Sequence, residues 1–340
     1  MRRSAACSAI VFATEAKSNK FVSKGKGLIS NAKYVPGRAP VQLVHYAGEM
    51  AEDDQTGADA STPETRTLTD AHGVTIYYYV WPAAEAKAVI HLSHGVGEHA
   101  RRYAALAADL NAAGYTVVAD DHRGHGQTGL NHLGVGKLGE QTTKAAIASV
   151  QLVGERLRAD YPDTPLVLLA HSWGSLMGQK IINRTSIYDA VVLSGSSLAV
   201  PGVIGTGNYN KRWKSPTATG LEWLSRDEAV WAAFTADEHN FDIGVTPAWT
   251  PVQAFAFLGR PPKKMPRDIP MLIQGGADDP LGGTRGLTLL RDAYVKRAKL
   301  SDVTLKIYPG ARHEIYNETN RDEIIADLVD WLDRHAAPRA

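Results

Sequence analysis

The sequence has almost no cysteine, since Cys7 is the only one among its 340 residues. A single cysteine excludes a disulfide within the chain and any metal site built from several thiolates. The chemistry of this protein must therefore rest on other side chains. Scarce cysteine also fits a reducing compartment, so we expect a cytoplasmic location.

The sequence also lacks a large net charge and long apolar runs. The 37 Lys and Arg residues nearly balance the 36 Asp and Glu residues, which leaves a formal net charge of +1. No overall field attracts the chain to a polyanion, so no nucleic-acid partner is expected. No apolar run approaches the roughly 20 residues that a membrane-spanning helix needs. The sequence thus predicts a globular protein without a transmembrane segment.

Charge is segregated only at the beginning of the chain. Basic residues dominate residues 1–40, and acidic residues dominate residues 47–65. The acidic stretch is rich in Gly, Ala and Thr and has too little apolar surface to build a core. We therefore expect residues 1–60 to form a flexible N-terminal arm.

Short apolar runs alternate with amphipathic segments from Thr67 onward. The runs rich in Val, Ile and Leu predict buried strands, and the segments between them have helical spacing. This alternation is typical of a mostly parallel sheet with crossover helices. The predicted strands are 74–81, 88–92, 115–119, 166–169, 190–193, 271–273 and 303–308, and the predicted helices are 100–113, 142–158, 175–184, 284–296 and 321–335.

One segment interrupts the alternation. Residues 199–262 show no buried strand, yet they hold four of the seven tryptophans and four of the six phenylalanines. We expect a helical cap, with stretches such as 221–234, inserted between two parts of the core, 61–198 and 263–340. Trp213, Trp223 and Trp231 are its candidate substrate-binding residues. The alternative is that these rings fill a small core within the cap.

The sharpest local motif surrounds Ser172, which follows an aliphatic strand and precedes a predicted helix. Ala170 and Gly174 lie two residues before and after it. This pattern indicates a nucleophile elbow, G-x-S-x-G, whose small residues let two backbones approach and leave the serine hydroxyl exposed above the sheet. Ala170 in place of the first glycine is a mild departure. Ser172 is the candidate nucleophile.

A serine hydroxyl needs a base, and the base needs a carboxylate that orients it. Asp278 and Asp279 follow the predicted strand 271–273, and His313 follows the strand 303–308. The order Ser, Asp, His is the one that elbow folds use, and all of these residues follow strands of a parallel sheet. His313 is the candidate base, and either aspartate can serve as the acid.

A transition state with a developing oxyanion also needs backbone donors. The loop His94-Gly95-Val96-Gly97 follows the strand 88–92, and its glycines allow a close approach to a substrate carbonyl. The backbone N–H groups of Val96 and Trp173 are the candidate oxyanion hole. His94 is interpreted as a brace for this loop.

Several ordered motifs between residues 67 and 337 resemble the α/β-hydrolase fold, specifically its monoacylglycerol lipase/lysophospholipase-like branch. They are the loop His94 to Tyr103, Asp121 to Gly126, the elbow, the paired aspartates and His313-Glu314. The resemblance implies a mostly parallel central sheet with helices on both faces and a hydrophobic cap that admits an acyl chain.

The resemblance also bears on single residues. It implies a Ser-Asp-His triad, and the family pattern G-x-x-D-P-x-G favours Asp279 as the acid, with Asp278 as the alternative. Trp173 stands where the family usually has methionine or a smaller residue, and its indole can narrow the acyl pocket.

The sequence therefore predicts a serine hydrolase that cleaves esters of lipid-like substrates, foremost monoacylglycerols, through an acyl-enzyme. The alternatives are a lysophospholipase, an aryl or phthalate monoester carboxylesterase, an acyltransferase, or a binding module without activity. We expect a small lipid ester as partner and no cofactor, and the cap leaves room for transient contact with a membrane surface. The six histidines between His91 and His132 contain no H-E-x-x-H, so no metal is expected. The oligomeric state is not indicated.

Overall fold

The computed structural model describes residues 62–336, and its strands form one sheet. The strands are Glu64–Thr69 (β1), Thr75–Trp81 (β2), Ala88–Ser93 (β3), Tyr115–Asp120 (β4), Leu166–His171 (β5), Ala190–Ser194 (β6), Met271–Gly276 (β7) and Val303–Tyr308 (β8). Their order is β1-β2-β4-β3-β5-β6-β7-β8. The pairs β1·β2 and β2·β4 are antiparallel and the others are parallel. The predicted arm, residues 1–60, lies outside the described residues.

Helices pack on both faces of this sheet. The α-helices are Ala104–Ala112 (α1), Gly126–Leu130 (α2), Thr142–Asp160 (α3), Trp173–Ile182 (α4), Glu228–Ala236 (α5), Pro251–Ala254 (α6), Gly283–Asp292 (α7) and Arg321–His335 (α8). Apolar side chains of α3, α4 and α7 belong to one core layer, and those of α1 and α8 belong to the other. The predicted fold class, a mostly parallel sheet covered on both faces, is confirmed.

Strand β5 shows how one strand supplies both layers. All six of its residues are buried. Leu166, Leu168 and Ala170 face the layer of α3 and α4, while Val167 and Leu169 face the layer of α1 and α8. Because successive side chains of a strand point to opposite faces, a strand covered on both sides needs a continuous aliphatic run.

Every predicted strand is present, but β1 was not predicted. Its sequence, ETRTLT, is mostly polar, and its side chains are half-buried or exposed because it forms the edge of the sheet. It pairs with β2 over Glu64–Thr69. An edge strand that buries little apolar surface has no run that hydrophobicity can reveal.

The segment between β6 and β7 contributes no strand to the described sheet. In this segment, α5 is shorter than the predicted helical stretch 221–234, since it begins at Glu228. The carboxylate of Asp227 accepts a hydrogen bond from the N–H of Ala229 and thereby caps the start of α5. We call residues 199–262 the inserted segment. It contacts the core beside the ends of the strands, where the N–H of Phe241 donates to the carbonyl of Gly97 at 2.9 Å.

No helix among the described residues is long and apolar enough to cross a membrane.

A buried ion pair fixes the loop after β4 against the turn between β1 and β2. Asp70 in that turn accepts hydrogen bonds from Arg123 Nε at 2.7 Å and from Ser149 Oγ at 2.9 Å. Arg123 is fully buried. Burial alone would raise the pKa of Asp70, but Arg123 and the hydrogen bonds of this carboxylate lower it to about 2.

We predict that Asp70→Asn lowers the free energy of unfolding by about 3–5 kcal/mol, because it leaves a buried guanidinium without its counter-charge. In the native protein, the stabilisation that ionised Asp70 provides is complete above the pKa of aspartate in the unfolded chain, about 3.9. It is lost as the pH falls toward the pKa of Asp70 in the folded protein, about 2. Urea denaturation along that pH range measures both effects. Asp322→Asn, at an exposed aspartate of α8, is the control. Equal stability of the two variants would contradict the prediction.

Candidate active site

The turn at Ser172 joins β5 to α4 with a strained backbone. Ser172 has φ 52° and ψ −120°, a conformation that residues with a side chain seldom adopt. Its N–H donates to the carbonyl of Ser194 at 3.0 Å, and its carbonyl accepts from Ser175 Oγ at 2.6 Å. These bonds hold the strained residue in place, so the sharp turn predicted for Ser172 is present.

The small residues around the turn have identifiable partners. A Cβ at Gly174 would lie 2.2 Å from the carbonyl oxygen of Ser93, so no larger residue fits there without a backbone shift. The methyl group of Ala170 faces Gly178 of α4, where an added Cβ would approach it to 3.3 Å. A glycine on the helix thus provides the space that glycine at position 170 would otherwise provide.

Ser172, His313 and Asp279 form a hydrogen-bonded row at the ends of β5, β8 and β7. Ser172 Oγ donates to His313 Nε2 at 2.8 Å, and His313 Nδ1 donates to Asp279 Oδ2 at 2.9 Å. Asp279 Oδ1 accepts from the N–H of Leu281 at 2.8 Å, which fixes the carboxylate. All three side chains are buried. This geometry suits proton transfer from the serine to the imidazole.

The two adjacent aspartates take different partners. Asp279 lies against His313, whereas Asp278 Oδ1 lies 2.6 Å from Arg212 Nη1 of the inserted segment and is partly exposed. Of the two carboxylates that the residue spacing left open, the structure thus brings Asp279 into the row.

The surroundings of His313 favour its protonated form. Burial alone would lower its pKa, but the charge of Asp279, the hydrogen bond to it, and the nearby carboxylates of Glu314 and Glu98 raise the pKa above the usual 6.5. The ring of Trp223 covers the imidazole at a centroid distance of 4.8 Å. The imidazolium that forms when His313 takes a proton is therefore stabilised.

The loop after β3 presents a backbone donor beside the elbow. Within residues 62–336, neither the N–H of Val96 nor that of Trp173 has a hydrogen-bond acceptor. Both residues line the cavity that contains Ser172. The N–H of Gly174 donates to the carbonyl of His94 at 3.1 Å, which ties this loop to the elbow. The N–H groups of the two predicted oxyanion donors are thus near Ser172 and have no acceptor among the described residues.

Neutral histidines support the loop from below. His94 Nδ1 donates to the carbonyl of Gly95 at 2.6 Å, and its Nε2 accepts from the N–H of His122 at 3.1 Å. His125 Nε2 accepts from the N–H of Gly97 at 3.1 Å. Burial holds the pKa of His94 well below its usual value and lowers that of His125 to about 3. Uncharged imidazoles can accept these N–H bonds, and His94 therefore braces the loop.

A cavity of about 100 Å³ lies over Ser172, walled mainly by apolar and aromatic side chains. Of the three predicted substrate-binding tryptophans, Trp223 lines this cavity. Trp213 and Trp231 line a separate outer groove, where both rings lie near the guanidinium of Arg312. The cavity walls that had not been singled out include Tyr209, Leu221, Phe234, Phe241, Trp249 and Leu281.

Trp173 packs within an aromatic group behind the elbow. Its indole is 2% exposed and lies 5.1 Å from the ring of Trp249 and 6.0 Å from that of Phe257, measured between centroids. Both partners belong to the inserted segment. A flexible methionine at this position would leave room that the indole fills.

One group of three residues in the described part of the chain could bind a metal ion: His99, Asp237 and His239, whose candidate ligand atoms lie within 4.8 Å of one another. His99 Nε2 donates to Asp237 Oδ2 at 2.7 Å, and His239 Nδ1 lies 3.3 Å from Asp237 Oδ1. These contacts connect the loop after β3 to the inserted segment.

The sheet order, the elbow and the row at the ends of three strands define an α/β-hydrolase. Comparison with known proteins agrees. A family model described as serine aminopeptidase, S33, matches residues 84–320. The monoacylglycerol lipase of Mycolicibacterium smegmatis is 32% identical over 290 residues, which cover 81% of this chain and 99% of that protein. The monoglyceride lipase of Mus musculus is 27% identical, covering 79% and 90%.

Solved structures share the fold. A thermostable carboxyl esterase from Bacillus coagulans, in complex with glycerol, matches with a TM-score of 0.67 at 21% identity, covering 81% of this chain and 99% of that one. A soluble variant of monoglyceride lipase from Saccharomyces cerevisiae, in complex with a substrate analog, matches with a TM-score of 0.64 at 22% identity, covering 83% and 98%.

The chain belongs to the serine aminopeptidase, S33, family of α/β-hydrolases. Within it, the chain resembles monoacylglycerol lipases and is an enzyme of the carboxylic ester hydrolase class. The resemblance that the motifs indicated is thereby confirmed.

We predict that Asp279→Asn lowers the pKa of His313, because an amide provides no negative charge to the imidazolium. Asp278→Asn is the matched control, since it changes the adjacent aspartate, which contacts Arg212 instead. Titration of the His313 imidazole by NMR in the three proteins measures the shift. A pKa that moves in Asp278→Asn and stays in Asp279→Asn would reverse the assignment.

Proposed function

We propose that this enzyme hydrolyses neutral carboxylic esters of lipid-like substrates, above all monoacylglycerols, through an acyl-enzyme. The observation that carries the proposal is the row of Ser172, His313 and Asp279 at the floor of an apolar, aromatic cavity. The similarity to proteins named monoacylglycerol lipase supports the same substrate class.

The first half of the reaction forms the acyl-enzyme. Ser172 Oγ attacks the ester carbonyl while His313 Nε2 takes its proton, and Asp279 stabilises the imidazolium. The N–H groups of Val96 and Trp173 bind the negative oxygen of the tetrahedral intermediate. His313 then returns the proton to the departing alkoxide oxygen, the ester C–O bond breaks, and the alcohol leaves.

The second half releases the acid. Water attacks the acyl carbonyl, His313 takes a proton from the water, and a second oxyanion forms at Val96 and Trp173. When this intermediate collapses, the bond to Ser172 Oγ breaks and His313 returns the proton to that oxygen. The products are one alcohol and one carboxylic acid, and the serine is regenerated.

The charges around the cavity favour a neutral substrate. Its described lining contains no lysine or arginine that could bind a phosphate or a free carboxylate. Glu98 and Glu314, two of its acidic residues, are both bound to Arg102. A lysophospholipid or a phthalate monoester would bring a negative charge toward these carboxylates, which disfavours both alternatives.

A panel of esters tests the proposal. The purified enzyme is compared on a monoacylglycerol, a lysophosphatidylglycerol, a phthalate monoester and a short aryl ester, with release of acid as the readout. We expect the highest kcat/KM on the monoacylglycerol, and we expect Ser172→Ala to lower kcat by about 10⁴ to 10⁶. Acyl transfer to an added alcohol in place of acid release would indicate an acyltransferase.

Three outcomes would contradict the proposal. Unchanged activity of Ser172→Ala would remove the nucleophile, and a preference for the anionic esters would remove the argument from charge. Failure to hydrolyse any ester, without a burst of product equal to the enzyme concentration, would favour a binding module.

We also propose that the inserted segment acts as a cap over the row and limits the acyl chain. A cavity of about 100 Å³ is small beside the roughly 300–1,000 Å³ of typical ligand sites. Trp173 and Trp249 fill the space behind Ser172. The size of the acyl group is therefore set by this aromatic packing.

Replacement of Trp173 by leucine should shift the preference toward longer acyl chains, because it removes part of this packing and keeps the backbone N–H. Trp223→Ala should alter the profile as well, since its ring borders both the cavity and His313. The measurement is kcat/KM along a series of monoacylglycerols. Trp213→Ala and Trp231→Ala test whether the outer groove takes part. An unchanged profile in Trp173→Leu would contradict the prediction.

We also propose that the cap makes transient contact with a membrane surface. Val245, Val252 and Phe255 of the inserted segment are exposed by 79%, 76% and 61%. Apolar side chains at the surface of a cap can enter a lipid layer from which substrate is drawn.

A further inference from the structure

A buried ion cluster lies between the two loops that the reaction needs. Arg102 donates from Nη1 to Glu98 Oε2 at 2.5 Å and to Glu314 Oε1 at 3.0 Å, and from Nη2 to Glu314 Oε2 at 3.1 Å. The side chains of Arg102, Glu98 and Glu314 are only 11%, 5% and 6% exposed. We call these three residues the Arg102 cluster.

The first carboxylate of the cluster belongs to the loop after β3. Glu98 Oε1 accepts from the N–H of Gly95 at 2.6 Å and from Tyr103 Oη at 2.8 Å. Gly95 directly precedes Val96, a proposed oxyanion donor. The position of the Val96 N–H therefore depends on the carboxylate of Glu98.

The second carboxylate belongs to the loop of the base. Glu314 directly follows His313, its N–H donates to the carbonyl of Leu224 at 2.7 Å, and its Oε2 accepts from Asn317 Nδ2 at 2.9 Å. The guanidinium of Arg102 holds this carboxylate with two parallel bonds, a geometry that fixes orientation as well as distance. The ring of Phe234, from α5 of the inserted segment, covers the guanidinium at 5.0 Å.

We propose that Arg102 is a positioning residue that acts through Glu98 and Glu314 to hold the oxyanion donor of the loop after β3 in register with His313. The inference rests on the function proposed above. A buried cluster of this kind is a poor source of stability, because apolar side chains of equal volume stabilise a fold about as well. Its bonds instead connect two loops that are distant in the sequence, since Arg102 and Glu314 are 212 residues apart.

The cluster also acts on His313 through its charge. Arg102 holds the pKa of Glu314 below its usual range against the effect of burial, so Glu314 carries a negative charge beside His313. That charge adds to Asp279 in raising the pKa of His313. The charged and titratable groups around the imidazole include Asp279, Glu314 and Glu98, together with His171, whose ring lies 4.8 Å from that of His313. Arg102 is bonded to Glu314.

Glu314→Gln distinguishes a positioning role from a purely structural one. It keeps the shape of the side chain and removes the negative charge of the carboxylate. Activity requires neutral His313, so the acidic limb of kcat/KM for a short aryl ester should move to lower pH, by about half a unit to one unit. Arg102→Lys keeps the positive charge but loses the bidentate geometry of the guanidinium. The rate constant kcat should therefore fall about tenfold, with KM nearly unchanged. The double variant should lose less than the product of the two single losses, because both act on one contact.

Asp189→Asn is the matched control for stability. Asp189 is a buried carboxylate that forms ion pairs with Arg158 and Arg267. It directly precedes β6 and so lies at the opposite end of the parallel strands from Ser172. We expect this variant to lower the melting temperature and leave the acidic limb in place.

Two results would overturn the proposal. One is an acidic limb of kcat/KM that stays in place in Glu314→Gln. The other is a loss of activity in Glu314→Gln and Arg102→Lys that only parallels the fall in melting temperature, as in Asp189→Asn. Either result leaves the proposed function intact as long as the native enzyme hydrolyses the ester. Absence of hydrolysis in the native enzyme would instead refute the proposed function.

Discussion

The strained backbone of Ser172 is the constraint on which the rest of the site depends. With φ at 52°, the residue directs its hydroxyl away from the sheet, at the point where β5 ends and α4 begins. The strain persists because neighbouring groups leave no alternative. The N–H of Ser172 is bound to the carbonyl of Ser194 in β6, and Gly174 lies so close to Ser93 of β3 that no side chain fits at position 174. The nucleophile elbow is therefore a property of three adjacent strands.

Charge is distributed so that the surroundings favour the protonated form of His313 and the neutral forms of His94 and His125. His313 faces Asp279 and the Arg102 cluster, which favour its protonated form. His94 and His125 are equally buried, but no carboxylate contacts them, so burial keeps them neutral and they accept hydrogen bonds from backbone N–H groups. The same residue type thus serves as a proposed base in one place and as a support in another, and the difference lies in its neighbours.

Much of the fold followed from local pattern, because strands buried on both faces need continuous aliphatic runs. The run of β5 shows this, whereas β1 has no such run and was missed. The elbow was also visible, since its spacing is local. The choice between Asp278 and Asp279 was not accessible from spacing alone, because adjacent residues in a turn point to different partners.

Contacts between distant segments account for what the sequence could not show. The pairing of Arg102 with Glu314 and the contact of Trp173 with Trp249 depend on how the inserted segment and the loops close over the sheet. No periodicity relates such residues. For the same reason the sequence could not distinguish Trp223, which covers His313, from Trp213 and Trp231 in the outer groove.

We propose that His313 and Asp279 activate Ser172 as the nucleophile. Labelling with a fluorophosphonate, followed by mass spectrometry of the digested protein, tests it without reference to any natural substrate. We expect one label per chain, on Ser172, formed much more slowly in Asp279→Asn than in Asp278→Asn. A label on another residue, or equal rates in the two aspartate variants, would contradict it.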